Sequence, residues 1–241
     1  MGTLPDRSRA SQWRARGARA TARMRGVSPA RVIDVDTPHG PARVHLRPAA
    51  QPRAALVLGH GAGGGVAAPD LAVATETALA VAVSVALVEQ PYRVAGRRAP
   101  ARAPQLDAAW TAVAERLLAR ELAGLPLVAG GRSMGARVAC RTADAVGAAA
   151  VLCLAFPLEP PSRAGKPPQS RLAELDAVTV PVLVVQGERD RFGTPPPAPS
   201  RKVVQVPGDH GLKSDLEAVA AAVRAWLPAV VPAAGQSRTG S

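Results

Sequence analysis

The sequence predicts an α/β fold: a mostly parallel central sheet with an N-terminal antiparallel hairpin, helices on both faces and no large lid domain. Three observations carry that reading. Short apolar runs alternate with helix-length segments between residues 54 and 227. An alternating pattern broken by turn residues precedes them. Glycine clusters follow several of the apolar runs, where buried parallel strands would end in loops.

Each element has its own signal. Residues 32–36 alternate, Thr37-Pro38-His39-Gly40 supplies turn chemistry, and residues 42–47 alternate again, which reads as a hairpin. Residues 54–59 form a short apolar run ending in glycine, as a strand buried on both faces would. Residues 69–80 suit a helix, with Asp70 and Glu76 toward its start. Strand 83–88, helix 105–122, strand 127–130, helix 133–145 and strand 148–155 follow. Strands at 181–186 and 202–206 come next, and residues 214–227 close the chain as an amphipathic helix with Ser214 as N-cap. Segments 91–104 and 156–170, rich in Pro and Arg, follow strand ends and are the expected walls of a site.

Length and composition set the outer limits. A chain of 241 residues suits one domain with a substantial core. Aromatics make up only 2%, so that core must be built from Ala, Val and Leu. The net charge of +12 is uneven: residues 1–31 hold eight Arg against the single acid Asp6. Such an arm would attract nucleic acid through its phosphates. However, nearly all basic residues of the chain are Arg, Lys166, Lys202 and Lys213 excepted, so composition bias accounts for the arm and no nucleic-acid partner is expected. Low apolar content and high charge mark residues 1–30 as a disordered extension, and residues 231–241 as a disordered tail, around a domain at 31–230. No apolar run reaches the ~18 residues of a membrane span, and no secretory signal opens the chain, so a cytoplasmic protein is expected. Cys140 and Cys153 lie in apolar surroundings and read as buried free thiols.

Four pieces carry chemistry. Gly131-Arg132-Ser133-Met134-Gly135 fits the G-x-S-x-G turn that lifts a serine above a sheet; its glycines sit where the strand-to-helix turn is too tight for side chains. His60-Gly61-Ala62-Gly63-Gly64-Gly65 follows the strand 54–59, and the N–H groups of Ala62 and Met134 are the expected oxyanion donors. His60 reads as a support for that loop. Asp190 and His210 each follow a strand and come in the chain order serine, acid, histidine. Serine needs a neutral imidazole to take its proton, and the imidazole needs a carboxylate to fix its tautomer. Of the rival carboxylates, Asp209 points away from a triad contact and Glu188 faces solvent or a loop. Tyr92, Arg93 and Lys166, in the two flanking loops, are the candidates for meeting an anionic group on a substrate.

With these residues the chain resembles the α/β-hydrolase-like proteins grouped with testis-expressed proteins and non-specific-lethal complex subunit 3, and more distantly the dienelactone hydrolases. The similarity spans about residues 30–230. It rests on His60 to Gly63, Glu89-Gln90-Pro91-Tyr92, Gly130 to Arg137, Phe156-Pro157-Leu158, Gly165-Lys166-Pro167, Gln186 to Gly193 and Gly208-Asp209-His210. Ala136 stands where a glycine is common in the group, and Arg132 where Lys is common. The resemblance implies the α/β-hydrolase fold and a hydrolase site; it implies no substrate, since some relatives serve as interaction scaffolds. The expectation is therefore a serine hydrolase acting on a small-molecule ester or thioester, with no cofactor and no metal. The alternative is a catalytically idle scaffold that binds a protein partner.

Overall fold

The computed structural model describes residues 30–160 and 169–231; the Arg-rich extension, Lys166 and the C-terminal tail lie outside the described residues. Among the described residues eight strands form one sheet: β1 (Arg31–Val35), β2 (Ala42–Arg47), β3 (Ala54–Gly59), β4 (Val83–Glu89), β5 (Leu127–Arg132), β6 (Ala150–Leu154), β7 (Val182–Gly187) and β8 (Arg201–Val206). Their order across the sheet is β1-β2-β4-β3-β5-β6-β7-β8. β1 and β2 form the antiparallel hairpin, β2 pairs antiparallel with β4, and every later pairing is parallel. This is the α/β-hydrolase fold with its N-terminal hairpin.

Two apolar layers sandwich the sheet because β3, β6 and β7 are buried along their whole length. On one face lie α1 (Pro69–Ala80) and the C-terminal helix, which pack Leu71, Ala74, Ala78, Val219, Val223 and Trp226 against Leu56, Leu58 and Leu152. On the other lie two more helices, carrying Leu106, Trp110, Val113, Val138 and Ala139. In chain order after α1, the helices are α2 (Pro91–Val94), α3 (Ala103–Leu118), α4 (Met134–Thr142), α5 (Leu172–Asp176) and α6 (Leu216–Val230). Each fully buried Val or Leu contributes about 1.5–3 kcal/mol of transfer free energy, so many small apolar side chains replace the missing aromatics. No helix among the described residues is long and apolar enough to cross a membrane.

The boundaries differ from the sequence reading in instructive places. α3 ends at Leu118 rather than Leu122: the chain turns through Gly124, at φ +75°, while Leu122 stays buried and extends the apolar spacing past the helix. The N-cap of α6 is Asp215, not Ser214; the Asp215 carboxylate accepts the Ala218 N–H at 2.9 Å. α6 also runs past Pro228 to Val230. The short helices α2 and α5 carry too few residues to leave a periodic signal.

Chain order and strand order reverse beside β3: β4 lies on one side of it and β5 on the other. Crevices open at the carboxyl ends of strands at such a switch point. Here Gly59 at the end of β3 is level with Gly131 near the end of β5. A Cβ on Gly131 would stand 2.6 Å from both the Gly59 oxygen and the Gly135 carbonyl carbon, and one on Gly135 would overlap the Gly59 backbone. Three backbones thus meet where side chains have no room, and α4 starts directly against the sheet.

Gly135→Ala is accordingly expected to cost about 1–3 kcal/mol, because the atoms it meets are backbone and cannot rotate away. Gly63→Ala, with nothing within 4 Å of its new methyl, is expected to leave stability unchanged or raise it by up to about 1 kcal/mol. Urea unfolding of the two variants beside the parent measures both.

Candidate functional site

Ser133 sits between β5 and α4 at φ +52° and ψ −108°, a backbone conformation that a side-chain-bearing residue rarely adopts. The strain is of order 1–3 kcal/mol. It is held by the Ser133 N–H, which donates to the Leu154 carbonyl at the end of β6 (2.9 Å), and by the glycine contact beneath. The serine hydroxyl therefore stands above the sheet rather than along it.

The loops after β7 and β8 complete the arrangement. His210 Nε2 lies 2.9 Å from Ser133 Oγ, and His210 Nδ1 lies 2.8 Å from Asp190 Oδ2. The Asp190 carboxylate is wholly buried and accepts two further bonds: Gln186 Nε2–H at Oδ2 (2.7 Å) and the Phe192 N–H at Oδ1 (2.9 Å). Gln186 also lies within hydrogen-bond distance of the Phe156 and Gly193 carbonyls. These contacts fix the carboxylate to the core. The Phe192 ring meets the His210 imidazole edge-on, with centroids 4.5 Å apart. The rival carboxylates are elsewhere: Asp209 accepts the Gly211 N–H, and Glu188 is exposed.

Arg132, one residue before the serine, ties three segments together. Its Nε pairs with Asp70 Oδ2 on α1 at 2.9 Å, and its Nη2 donates to the His210 carbonyl at 3.0 Å. Burial pushes the Asp70 carboxyl up from its ordinary value, and the Arg132 charge opposes that rise.

Ala62 lies in the loop after β3 and, with Ser133 and Met134, lines one cleft. As the first residue of α4, Met134 has an N–H with no intrahelical partner. Tyr92 is a correction to the expectation that it meets substrate: α2 turns it inward, it is 2% exposed, and its hydroxyl donates to the Ala62 carbonyl at 3.0 Å. It props the glycine loop from behind. Burial raises its pKa to about 12, so it stays a neutral donor. Arg93, half-buried on α2, is not among the residues lining the cleft. His60 supports the same loop: its Nε2 accepts the Gln90 N–H at 3.2 Å, and its Nδ1 faces the Gly61 carbonyl at 2.8 Å.

The cleft encloses about 300 Å³. Pro100, Ala101, Pro157 and Pro160, from the described parts of the two Pro- and Arg-rich segments, form part of its walls. Three arginines that sequence reasoning did not select also line it: Arg137 and Arg141 on α4, and Arg171 before α5. In an Arg-rich chain no sequence signal separates them from solvated charge. A larger cavity of about 660 Å³ lies past Arg141 and Glu174, lined by Cys140 and Val178 among others, and does not reach Ser133. Among the described residues, no group of three or more His, Cys, Asp or Glu side chains is placed to hold a metal ion.

A family model described as alpha/beta hydrolase domain matches residues 52–214. No curated protein sequence matches the chain. Solved structures do match. An α/β serine hydrolase without a lid from Xanthomonas campestris aligns at TM-score 0.70 and 19% identity, covering 86% of this chain and 97% of that one. Dienelactone hydrolase from Anabaena variabilis aligns at 0.68 and 15%, covering 85% and 99%. Est1E from Butyrivibrio proteoclasticus aligns at 0.66 and 16%, covering 83% and 98%. At these identities the likeness is one of fold.

The burial of His60 has a measurable consequence. Burial holds its imidazole below its ordinary pKa, with the Gly61 carbonyl opposing. Below about pH 6.5 the unfolded chain takes up a proton that the folded chain refuses, so stability is present above that pH and is lost as the pH falls toward the folded pKa. The loss is at most about 1.4 kcal/mol per pH unit. In urea titrations at pH 7.5 and 5.5, the stability advantage of the parent over His60→Gln is expected to shrink at the lower pH.

Proposed function

We propose that this chain, which belongs to the alpha/beta hydrolase domain family, is a serine hydrolase that cleaves a small ester or thioester through an acyl-Ser133 intermediate. The observation that carries this reading is the unbroken hydrogen-bonded line Ser133–His210–Asp190, each link under 3 Å, at the mouth of a cleft. In this reading Ser133 Oγ attacks the substrate carbonyl carbon while His210 Nε2 takes the hydroxyl proton. Asp190 holds the Nδ1–H tautomer and stabilises the imidazolium that forms. The tetrahedral oxygen is received by the N–H groups of Ala62 and Met134, and the N-terminus of α4 adds a favourable dipole. His210 then returns the proton to the departing alcohol or thiol. Water then gives a proton to the same nitrogen as its oxygen bonds to the acyl carbon, the bond from that carbon to Ser133 Oγ breaks, and His210 returns the proton to Oγ as the acid leaves.

The cleft volume of about 300 Å³ supports small substrates, and the likeness to a hydrolase described as lidless supports an open site. The finer kinship, with the testis-expressed and non-specific-lethal complex subunit 3 group, rests on the stretches Phe156-Pro157-Leu158 and Gly165-Lys166-Pro167.

A fluorophosphonate probe is expected to label the native protein, and to label neither Ser133→Ala nor heat-denatured protein. Once a substrate ester is found, Asp190→Asn is expected to lower kcat by about 10⁴-fold, as a wrong imidazole tautomer would. A folded protein that takes up no probe would overturn the hydrolase reading and favour the scaffold that binds a protein partner.

A further inference from the structure

Among the described residues, the wall of the Ser133 cleft holds three guanidinium groups and only two carboxylates to meet them. Arg137 pairs with Glu174, Nε to Oε2 at 2.9 Å and Nη2 to Oε1 at 2.5 Å. Arg141 pairs with Asp107 through Nε at 2.8 Å and Nη2 at 2.6 Å, while its Nη1 stands 3.3 Å from both Glu174 oxygens. Arg171 is left over. Its Nη1 donates to the Pro157 carbonyl at 3.0 Å, and among the described residues it forms no ion pair. Burial and the charges of Arg137 and Arg141 pull its pKa down, with Glu174 opposing. A cation so placed gains from an anion arriving in the cleft. Apart from Ser133, the rest of the lining, including Leu106, Met134 and Phe192, is apolar.

A purely structural role for Arg171 would be to tie down the Pro157 carbonyl. One N–H suffices for that, whereas a guanidinium offers five donors in a planar fork. Among the described residues the surplus in the cluster is one positive charge, which matches a monoanionic carboxylate better than a phosphate dianion.

We infer that Arg171 is a substrate-binding residue that receives a carboxylate, so that the preferred substrate is an ester or thioester carrying a carboxylate within the length of the cleft from the scissile carbonyl. The inference deepens the hydrolase reading and rests on Ser133 being the acylated serine. The carboxylate can belong to the acyl part or to the leaving group, and the test has an arm for each.

The acyl arm compares 4-methylumbelliferyl hydrogen adipate with 4-methylumbelliferyl hexanoate. The leaving-group arm compares 3-acetoxybenzoate with its methyl ester. In one arm the anionic ester is expected to have about tenfold the kcat/KM of its neutral partner, mainly through KM. Raising the salt concentration is expected to raise KM for that anionic ester more than for the neutral one. Arg171→Gln is expected to erase the anionic-to-neutral ratio, and Arg171→Lys to restore part of it. Equal ratios for parent and Arg171→Gln in both arms would overturn the inference, even if Arg171→Gln slowed every ester alike. If the folded protein turns over none of the esters, fluorophosphonate labelling decides the hydrolase reading and calorimetric titration decides the subsite. Binding of monomethyl adipate that Arg171→Gln weakens tenfold would uphold it, and no difference between the two proteins would overturn it.

Discussion

Where Gly59, Gly131 and Gly135 meet, two strand ends and the first turn of a helix touch backbone to backbone. Much of the site follows from that contact. Because α4 begins against the sheet, the chain between β5 and α4 has one residue in which to change direction, and that residue is Ser133 at a positive φ. A strained residue relaxes unless its surroundings over-determine it. Here the strand before it is locked between β3 and β6, its own N–H is taken by Leu154, and the helix after it is packed through Val138 and Ala139. The same contact brings the end of β3 alongside, so the glycine loop that begins at His60 starts beside the serine.

The acid and the base hang on longer loops, and two polar side chains bring those loops into register with the serine. Gln186 reaches from the end of β7 to the Asp190 carboxylate and to two carbonyls, so the acid is positioned by the sheet itself. Arg132 reaches from the end of β5 to the His210 carbonyl and to buried Asp70. A buried ion pair contributes little net stability, because desolvation offsets most of the attraction, whereas removing one partner leaves a costly unpaired charge. The value of the Arg132–Asp70 pair is therefore positional: the guanidinium cannot leave Asp70, so the His210 loop is held at a set distance from the elbow.

Parts of this could be read from the sequence because their signals are local. The strands β3, β5, β6 and β7 are short apolar runs, and the tight turn at Ser133 needs glycine on both sides. The chain order of Ser133, Asp190 and His210 was equally legible, and the structure brings those three side chains together. What the sequence hid depends on direction. That Tyr92 lies near the site follows from its loop; that it points inward follows from one turn of helix, too short for a periodic pattern. Arg171 was hidden for another reason. In a chain this rich in arginine a surplus charge is visible only as a count of partners in space, since Glu174 and Asp107 come from different helices. Lys166 falls outside the described residues.

The scarcity of aromatic residues makes their distribution informative. A core of Ala, Val and Leu is filled by many small, interchangeable side chains, each worth a few kcal/mol, which defines a volume more firmly than a set of angles. Aromatic rings are larger and hold few rotamers, so they set distances. Four of the five among the described residues border the site. Trp110 lies under Gly59, its Cζ3 within 3.3 Å of where a Cβ would be, and closes the glycine contact from below. Tyr92 holds Ala62 through its hydroxyl. Phe192 bounds the His210 imidazole, and fully buried Phe156 offers its carbonyl to Gln186. Replacing Trp110, Tyr92 or Phe192 by Leu would conserve hydrophobicity and lose a fixed spacing. In this chain bulk is spent where geometry matters to the serine, and the rest of the fold is held by quantity of small apolar surface.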